Sequence, residues 1–270
     1  MPYTHLVSVA QLQQLQASRP QSLMVFDCSF DLAHPAAGRE QYLQAHIPGA
    51  IHADLDKDLS VHAIGTEAPH TASGGRHPLP SRERFAIWLS QTGLRNDMQA
   101  VVYDRNGVNY AGRLWWMLKW LGHDAVAVLD GGWQAWQAAG GAAEAGAPAA
   151  HFQSNFELGP PLRELRSAAQ VQAALGQPGQ TVVDARAPAR YRGEVEPLDP
   201  VAGHIPGAVN RPFTANISAG GLFKPAAELR AEFEQLLAGH DAAGVVHQCG
   251  SGVSALPNLI AMEVAGYAPT

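Results

Sequence analysis

Cys249 and the five residues after it, Gly250, Ser251, Gly252, Val253 and Ser254, are the part of this sequence best equipped for chemistry. The run GVVHQ before the cysteine reads as a strand, and the segment from Val253 reads as a helix. The thiol therefore falls at a strand-to-helix junction, where unsatisfied N–H groups and the positive end of the helix dipole favour a thiolate. Two glycines let the backbone curl until several N–H groups converge on an anion. Ser251 and Ser254 add hydroxyl donors. Together these residues describe a cysteine nucleophile with a cradle for negative charge on or beside its sulfur. Cys28, after the apolar run that ends at Asp27, is expected to be a buried structural thiol.

The elements that must position this loop occur twice. HIPGA stands at 46–50 and again at 204–208. Each copy follows a short apolar run ending in an aspartate, Asp27 in LMVFD and Asp184 in TVVDA. Further on, VVYDRNGV (101–108) matches VVHQCGSGV (245–253), which sets Asp104 against Cys249, Gly107 against Gly252 and Val108 against Val253. The same features in the same order imply a duplicated unit.

In the first copy, helices are predicted over 8–18, 81–93, 107–122 and 131–140, with Ser8 and Ser81 at capping positions, and strands over 22–27, 100–104 and 125–130. Alternating helices and near-continuously apolar strands predict an α/β fold, each domain a parallel sheet covered by helices on both faces. The expected domains are 1–140 and 162–270, joined by a linker at 141–161 rich in Gly, Ala and Pro. The second copy stops soon after Gly266, the counterpart of Gly122, so it is expected to be short by a final strand and helix.

Composition narrows the partners. Among 270 residues, 18 Lys and Arg against 24 Asp and Glu give a net charge of −6, which argues against a nucleic-acid surface and an anionic membrane. Small anionic substrates remain compatible, because a local arginine can outweigh the global charge. The N-terminal stretch lacks a signal-peptide pattern, and two cysteines in such a chain suggest free thiols in a cytoplasmic protein.

The ordered motifs resemble the tandem-domain rhodanese family, which includes thiosulfate and 3-mercaptopyruvate sulfurtransferases. They are the two HIPGA copies, DARAPARYRG (184–193), AGRLWWMLKWLGH (111–123), DGGW (130–133) and CGSGVSA (249–255), and the last resembles the mercaptopyruvate branch. The resemblance implies a catalytically silent first domain, with Asp104 at the cysteine position. It also implies a ping-pong reaction through a Cys249 persulfide, with a thiol or cyanide as acceptor and no cofactor or metal. Arg190 matches the arginine that grips the donor anion, beside the backbone of Gly250, Gly252, Val253 and Ser254. His77 and Asp56 match a proton relay to Ser251. Leu198 stands where the mercaptopyruvate branch carries a second arginine, which leaves Arg211 as a candidate helper. The trio Trp115, Trp116 and Trp120 is expected to pack. A Cys-dependent phosphatase is disfavoured, because residue 255 is Ala and 250–270 contains no arginine. A non-catalytic sulfur carrier or regulatory binding module is the other reading; the sequence leaves the oligomeric state open.

Overall fold

The Ser8 hydroxyl oxygen accepts a hydrogen bond from the Gln11 N–H and the Gln11 Oε1 accepts one from the Ser8 N–H, so the first helix starts at a closed capping box. Ser81 caps a second helix through the Arg84 N–H, and Gly93 ends it at φ 85°, in the left-handed region. The computed structural model describes residues 1–62, 72–148 and 152–270. It divides into two units, Met1–Leu162 and Arg163–Thr270.

In the first unit the elements run β1 (Leu6–Val7), α1 (Val9–Ser18), β2 (Leu23–Asp27), α2 (Ala37–Gln44), β3 (Ile51–His52), α3 (Arg82–Thr92), β4 (Gln99–Tyr103), α4 (Ala111–Trp120), β5 (Val126–Leu129) and α5 (Gly132–Ala138). The sheet is parallel, in the order β1-β5-β4-β2-β3. All ten residues of α4 are buried, including Trp115 and Trp116, with Trp116 and Trp120 stacked 5.5 Å apart. The tryptophan trio is thus packing material, and its apolar bulk buries the helix that follows Asp104.

The second unit runs α6 (Ala168–Ala173), β6 (Thr181–Asp184), α7 (Pro188–Tyr191), β7 (Val209–Asn210), α8 (Ala226–Leu237), β8 (Val245–Gln248) and α9 (Leu256–Val264). Its parallel sheet has the order β7-β6-β8. Asp27 pairs with Tyr103 and Asp184 with Gln248, so β2 and β4 match β6 and β8 in register. No counterpart of β5 lies beyond β8 among the described residues, as the short second copy implies.

The structure revises several boundaries. Residues 152–161, read as linker, pack with the first unit: the Ser154 N–H bonds the Ser90 carbonyl at 2.9 Å, and Phe156 is buried beside His123. A Cβ on Gly122 would stand 2.7 Å from the Gly159 Cα, so bare backbones meet there. Composition marks such a stretch as irregular and does not reveal its backbone bonds. Helices α4 and α9 begin at Ala111 and Leu256, later than 107 and 253. The residues before them include Gly107 (φ 68°), Val108 (φ 69°) and Gly252 (φ 71°), which cannot be helical. The short β1, β3 and α2 carry too little periodicity to be predicted.

Candidate active site around Cys249

Asp104 and Cys249 are each the first residue beyond the corresponding strand, β4 and β8. The frames beneath them are alike. The Cys28 N–H bonds the Tyr103 carbonyl at 2.7 Å, and the Ala185 N–H bonds the Gln248 carbonyl at 2.9 Å. Asp27 accepts from the Ser29 N–H and Asp184 from the Arg186 N–H, both at 2.9 Å. The HIPGA copies have a shared physical role. His46 stacks on Tyr42 at 4.0 Å and His204 on Tyr191 at 3.8 Å. Each imidazole Nδ1 donates to the carbonyl of its tyrosine, at 2.8 and 2.7 Å. Each tyrosine hydroxyl donates to the carbonyl of the motif's alanine, Ala50 or Ala208. Tyr42 and Tyr191 were not singled out from sequence, although each precedes its histidine and the pair is thus part of the repeat.

On this shared frame the two loops diverge. In the first unit the buried Asp104 carboxylate accepts from the N–H groups of Asn106 and Val108 on one oxygen, at 2.8 and 3.0 Å. It accepts from Tyr110 and Ala111 on the other, both at 2.8 Å. The loop is an anion cradle filled by the chain's own side chain. The Asp104 carbonyl accepts from the Trp133 N–H at 3.0 Å, and a Cβ on Gly132 would stand 2.4 Å from that oxygen. That close approach explains the second glycine of DGGW. In the second unit a thiol replaces the carboxylate. Cys249 is free and half-buried, as are Gly250, Ser251 and Ser254, while Gly252 is exposed and Val253 buried. Cys28 is also free, and burial, helped by Asp104, pushes its thiol up, so it stays protonated and inert.

Arg190 lies on α7 and is engaged by carboxylates. Its Nη2 donates to both oxygens of Glu196, at 2.7 and 2.9 Å, and to Asp199 at 2.8 Å. Arg190 draws the Glu196 carboxyl down to about 2. Leu198 is exposed. Arg186 is tied to Asp184 at 2.7 Å. Arg211 does not help at the site: it is buried, donating to Asn216 at 2.9 Å and Glu232 at 2.7 Å, with Asn258 bonding its carbonyl at 2.8 Å. Its charge is used up inside the second unit.

In the first unit the structure brings His77 and Asp56 together, Nε2 to Oδ1 at 3.3 Å. His77 is buried, and that burial pulls its pKa down to about 4, so the ring is neutral at pH 7. The Asp56 carboxylate facing Nε2 favours the tautomer protonated on that nitrogen. Nδ1, which has no hydrogen-bond partner among the described residues, is then an acceptor. Arg113 on α4 holds the His77 loop in place, donating to the carbonyls of Leu59 and His77 at 3.0 and 2.9 Å. His62 also approaches Asp56, at 3.5 Å. Neither Arg113 nor His62 carried a sequence signal. Among the described residues no three His, Cys, Asp or Glu side chains group to hold a metal ion.

The model of the rhodanese-like domain matches residues 8–139 and 167–269. The chain belongs to the rhodanese family. A probable 3-mercaptopyruvate sulfurtransferase of Pseudomonas aeruginosa is 47% identical, over 97% of this chain and 91% of that protein. A putative thiosulfate sulfurtransferase of Mycobacterium tuberculosis is 38% identical, over 97% of this chain and 88% of that protein. Among solved structures, the 3-mercaptopyruvate sulfurtransferase of Leishmania major superposes with a TM-score of 0.81 at 28% identity, over 98% of this chain and 71% of that one. The rhodanese fold, with its two α/β domains, accounts for the duplicated frame.

Proposed function

We propose that this rhodanese-family protein is a sulfurtransferase that moves sulfane sulfur from thiosulfate or 3-mercaptopyruvate through a Cys249 persulfide to a thiol or cyanide. The observation that carries the reading is the free Cys249 at the strand end where the first domain closes its cradle on Asp104. The Cys249 thiolate attacks the outer sulfur of the donor and a sulfur–sulfur bond forms. The bond from that sulfur to the rest of the donor breaks, its electron pair leaving with sulfite or with the enolate of pyruvate. The acceptor then attacks the outer sulfur and regenerates the thiolate.

Arg190 is assigned to the donor's anionic end, and the backbone of Gly250, Gly252, Val253 and Ser254 to the charge on the sulfur. Ser251, His77 and Asp56 are assigned to the proton that the enolate needs; sulfite needs none. Similarity to sulfurtransferases along nearly the whole chain supports an enzyme over a carrier or binding module. No helix among the described residues is long and apolar enough to cross a membrane. Two free thiols fit a cytoplasmic protein acting on small molecules.

The test is cyanide-dependent sulfur transfer by wild type and Cys249→Ser with each donor. Turnover with either donor that the serine variant loses is the expected result. Turnover that survives the substitution, or none from the folded wild type, overturns the reading.

A further inference from the structure

We propose that Asp199 is an internal competitor for the Arg190 guanidinium and so tunes which anionic sulfur donors this protein accepts. The proposal rests on Arg190 being the donor's anion clamp. The two carboxylates on Arg190 are not equivalent. Glu196 is built in: its side chain is 4% exposed, and its Oε1 accepts the N–H groups of Leu198 and Asp199 at 3.0 and 2.9 Å. It also lies 3.5 Å from Arg186. Glu196 is the standing counter-ion of the two arginines. Asp199 is more exposed, at 22%, and reaches the same Nη2 that Glu196 already holds.

Around this point two guanidinium groups, Arg186 and Arg190, meet three carboxylates, Asp184, Glu196 and Asp199. A clamp for an anion is thus surrounded by one negative charge too many. A carboxylate or oxyanion grips a guanidinium with two oxygens along either the Nε/Nη2 edge, which Glu196 occupies here at 3.1 and 2.7 Å, or the Nη1/Nη2 edge, which is the one left for the donor. Among the described residues Nη1 carries no hydrogen bond, while Nη2 is claimed. The donor must displace Asp199 or accept a single hydrogen bond beside it. The penalty grows with the donor's charge, so the thiosulfate dianion is discriminated against more than the monoanion of mercaptopyruvate. Neutralising Asp199 relieves it and leaves Glu196 to hold Arg190 in place.

The experiment measures kcat/KM for both donors in wild type, Asp199→Asn, Arg190→Gln and the double variant. Competitive inhibition by sulfate serves as a non-reacting probe of the clamp. Asp199→Asn is expected to raise kcat/KM for thiosulfate about 3- to 10-fold, the scale of a partly screened ion pair. The gain for mercaptopyruvate is smaller, and sulfate inhibits at correspondingly lower concentration. In the Arg190→Gln background the gain disappears. Glu194→Gln removes a charge of the same loop that pairs with Arg192 instead, and is expected to change little. No gain in Asp199→Asn, an equal gain in Glu194→Gln, or a gain that persists without Arg190 overturns the proposal. If Arg190→Gln alone leaves both donors and sulfate unaffected, it is the assignment of the clamp that fails.

Discussion

Asp104→Asn tests whether the first-domain loop is held by its own carboxylate. The two oxygens of Asp104 each accept two backbone N–H groups. The asparagine amide is nearly isosteric, yet one of its two positions is an NH2 that must face two N–H donors. Those two donors lose their acceptor, and the other two lose a charge-assisted partner. Unsatisfied buried groups cost about 1–3 kcal/mol each and such losses are not additive, so the expected destabilisation is about 3–4 kcal/mol. The protein supplies its own reporter. All six tryptophans, at 88, 115, 116, 120, 133 and 136, lie in the unit Met1–Leu162. Tryptophan fluorescence during urea titration therefore follows that unit alone. With a denaturant slope of about 2 kcal/mol/M, the midpoint should fall by roughly 1.5–2 M. Asp104→Ala should fall at least as far, since it strips all four acceptor contacts. A midpoint within about 0.3 M of wild type in both variants would show that the four hydrogen bonds do not hold the loop, and would refute the cradle argument.

Acid should weaken the same unit. Burial lowers the pKa of both His77 and His123 to about 4 from an ordinary 6.5. A histidine whose folded pKa is depressed contributes stability that is fully present above the unfolded pKa and lost as pH falls from about 6.5 towards 4, worth about 2 kcal/mol for each by pH 5. The tryptophan-detected midpoint should therefore drop between pH 7 and 5, and drop less in His77→Gln. In sulfur transfer His77→Gln should reduce kcat with mercaptopyruvate about 10- to 100-fold and with thiosulfate far less, because only the enolate needs a proton; equal losses with both donors would remove His77 from proton handling. Arg113→Met should reproduce that donor-dependent loss through the freed His77 carbonyl, alongside a stability cost of about 2–3 kcal/mol in the urea titration. Tyr42→Phe and Tyr191→Phe should each cost about 1 kcal/mol in thermal unfolding, since each hydroxyl closes the same bond within its repeat.

The sequence discloses the frame because the frame is repeated. Asp27 and Asp184, and the two HIPGA segments, are legible as counterparts, and the register of β2 with β4 and β6 with β8 bears the alignment out. Cys249 stands out in the same way, as a thiol in a loop aligned with the first through Gly107 with Gly252 and Val108 with Val253. What composition and spacing do not disclose is who neutralises whom. Arg190 is the expected clamp and Arg211 its candidate helper, yet Arg211 is consumed by Asn216 and Glu232 while Arg190 is held by Glu196 and Asp199. Charge pairing of this kind depends on loop conformations over 194–199 and 211–216 that no periodicity encodes. Arg113 escapes notice because it sits in an apolar helix, from which it reaches two carbonyls across the domain.

The two loops differ at the residue that follows the strand, Asp104 in the first domain and Cys249 in the second. In the first domain a strand end followed by a glycine-bearing turn and a buried helix directs four backbone N–H groups onto the Asp104 carboxylate. Filling that cradle with a covalently attached carboxylate satisfies the donors permanently, stabilises the turn and removes any use for an external anion. A thiol at the corresponding place, Cys249, forgoes the stabilisation that an attached carboxylate supplies. On this argument Asp104→Cys should not yield a second working site. It removes the acceptor of four N–H groups while keeping Arg105 and Asn106 where the second loop has Gly250 and Ser251, and Arg105 is already bound to Asp27 and Ser29 at 2.7 Å. The variant should therefore show the stability loss of Asp104→Ala with no sulfur transfer in a Cys249→Ser background. Restored turnover there would show that the rest of the first-domain loop can still serve chemistry, and that the aspartate alone keeps that domain silent.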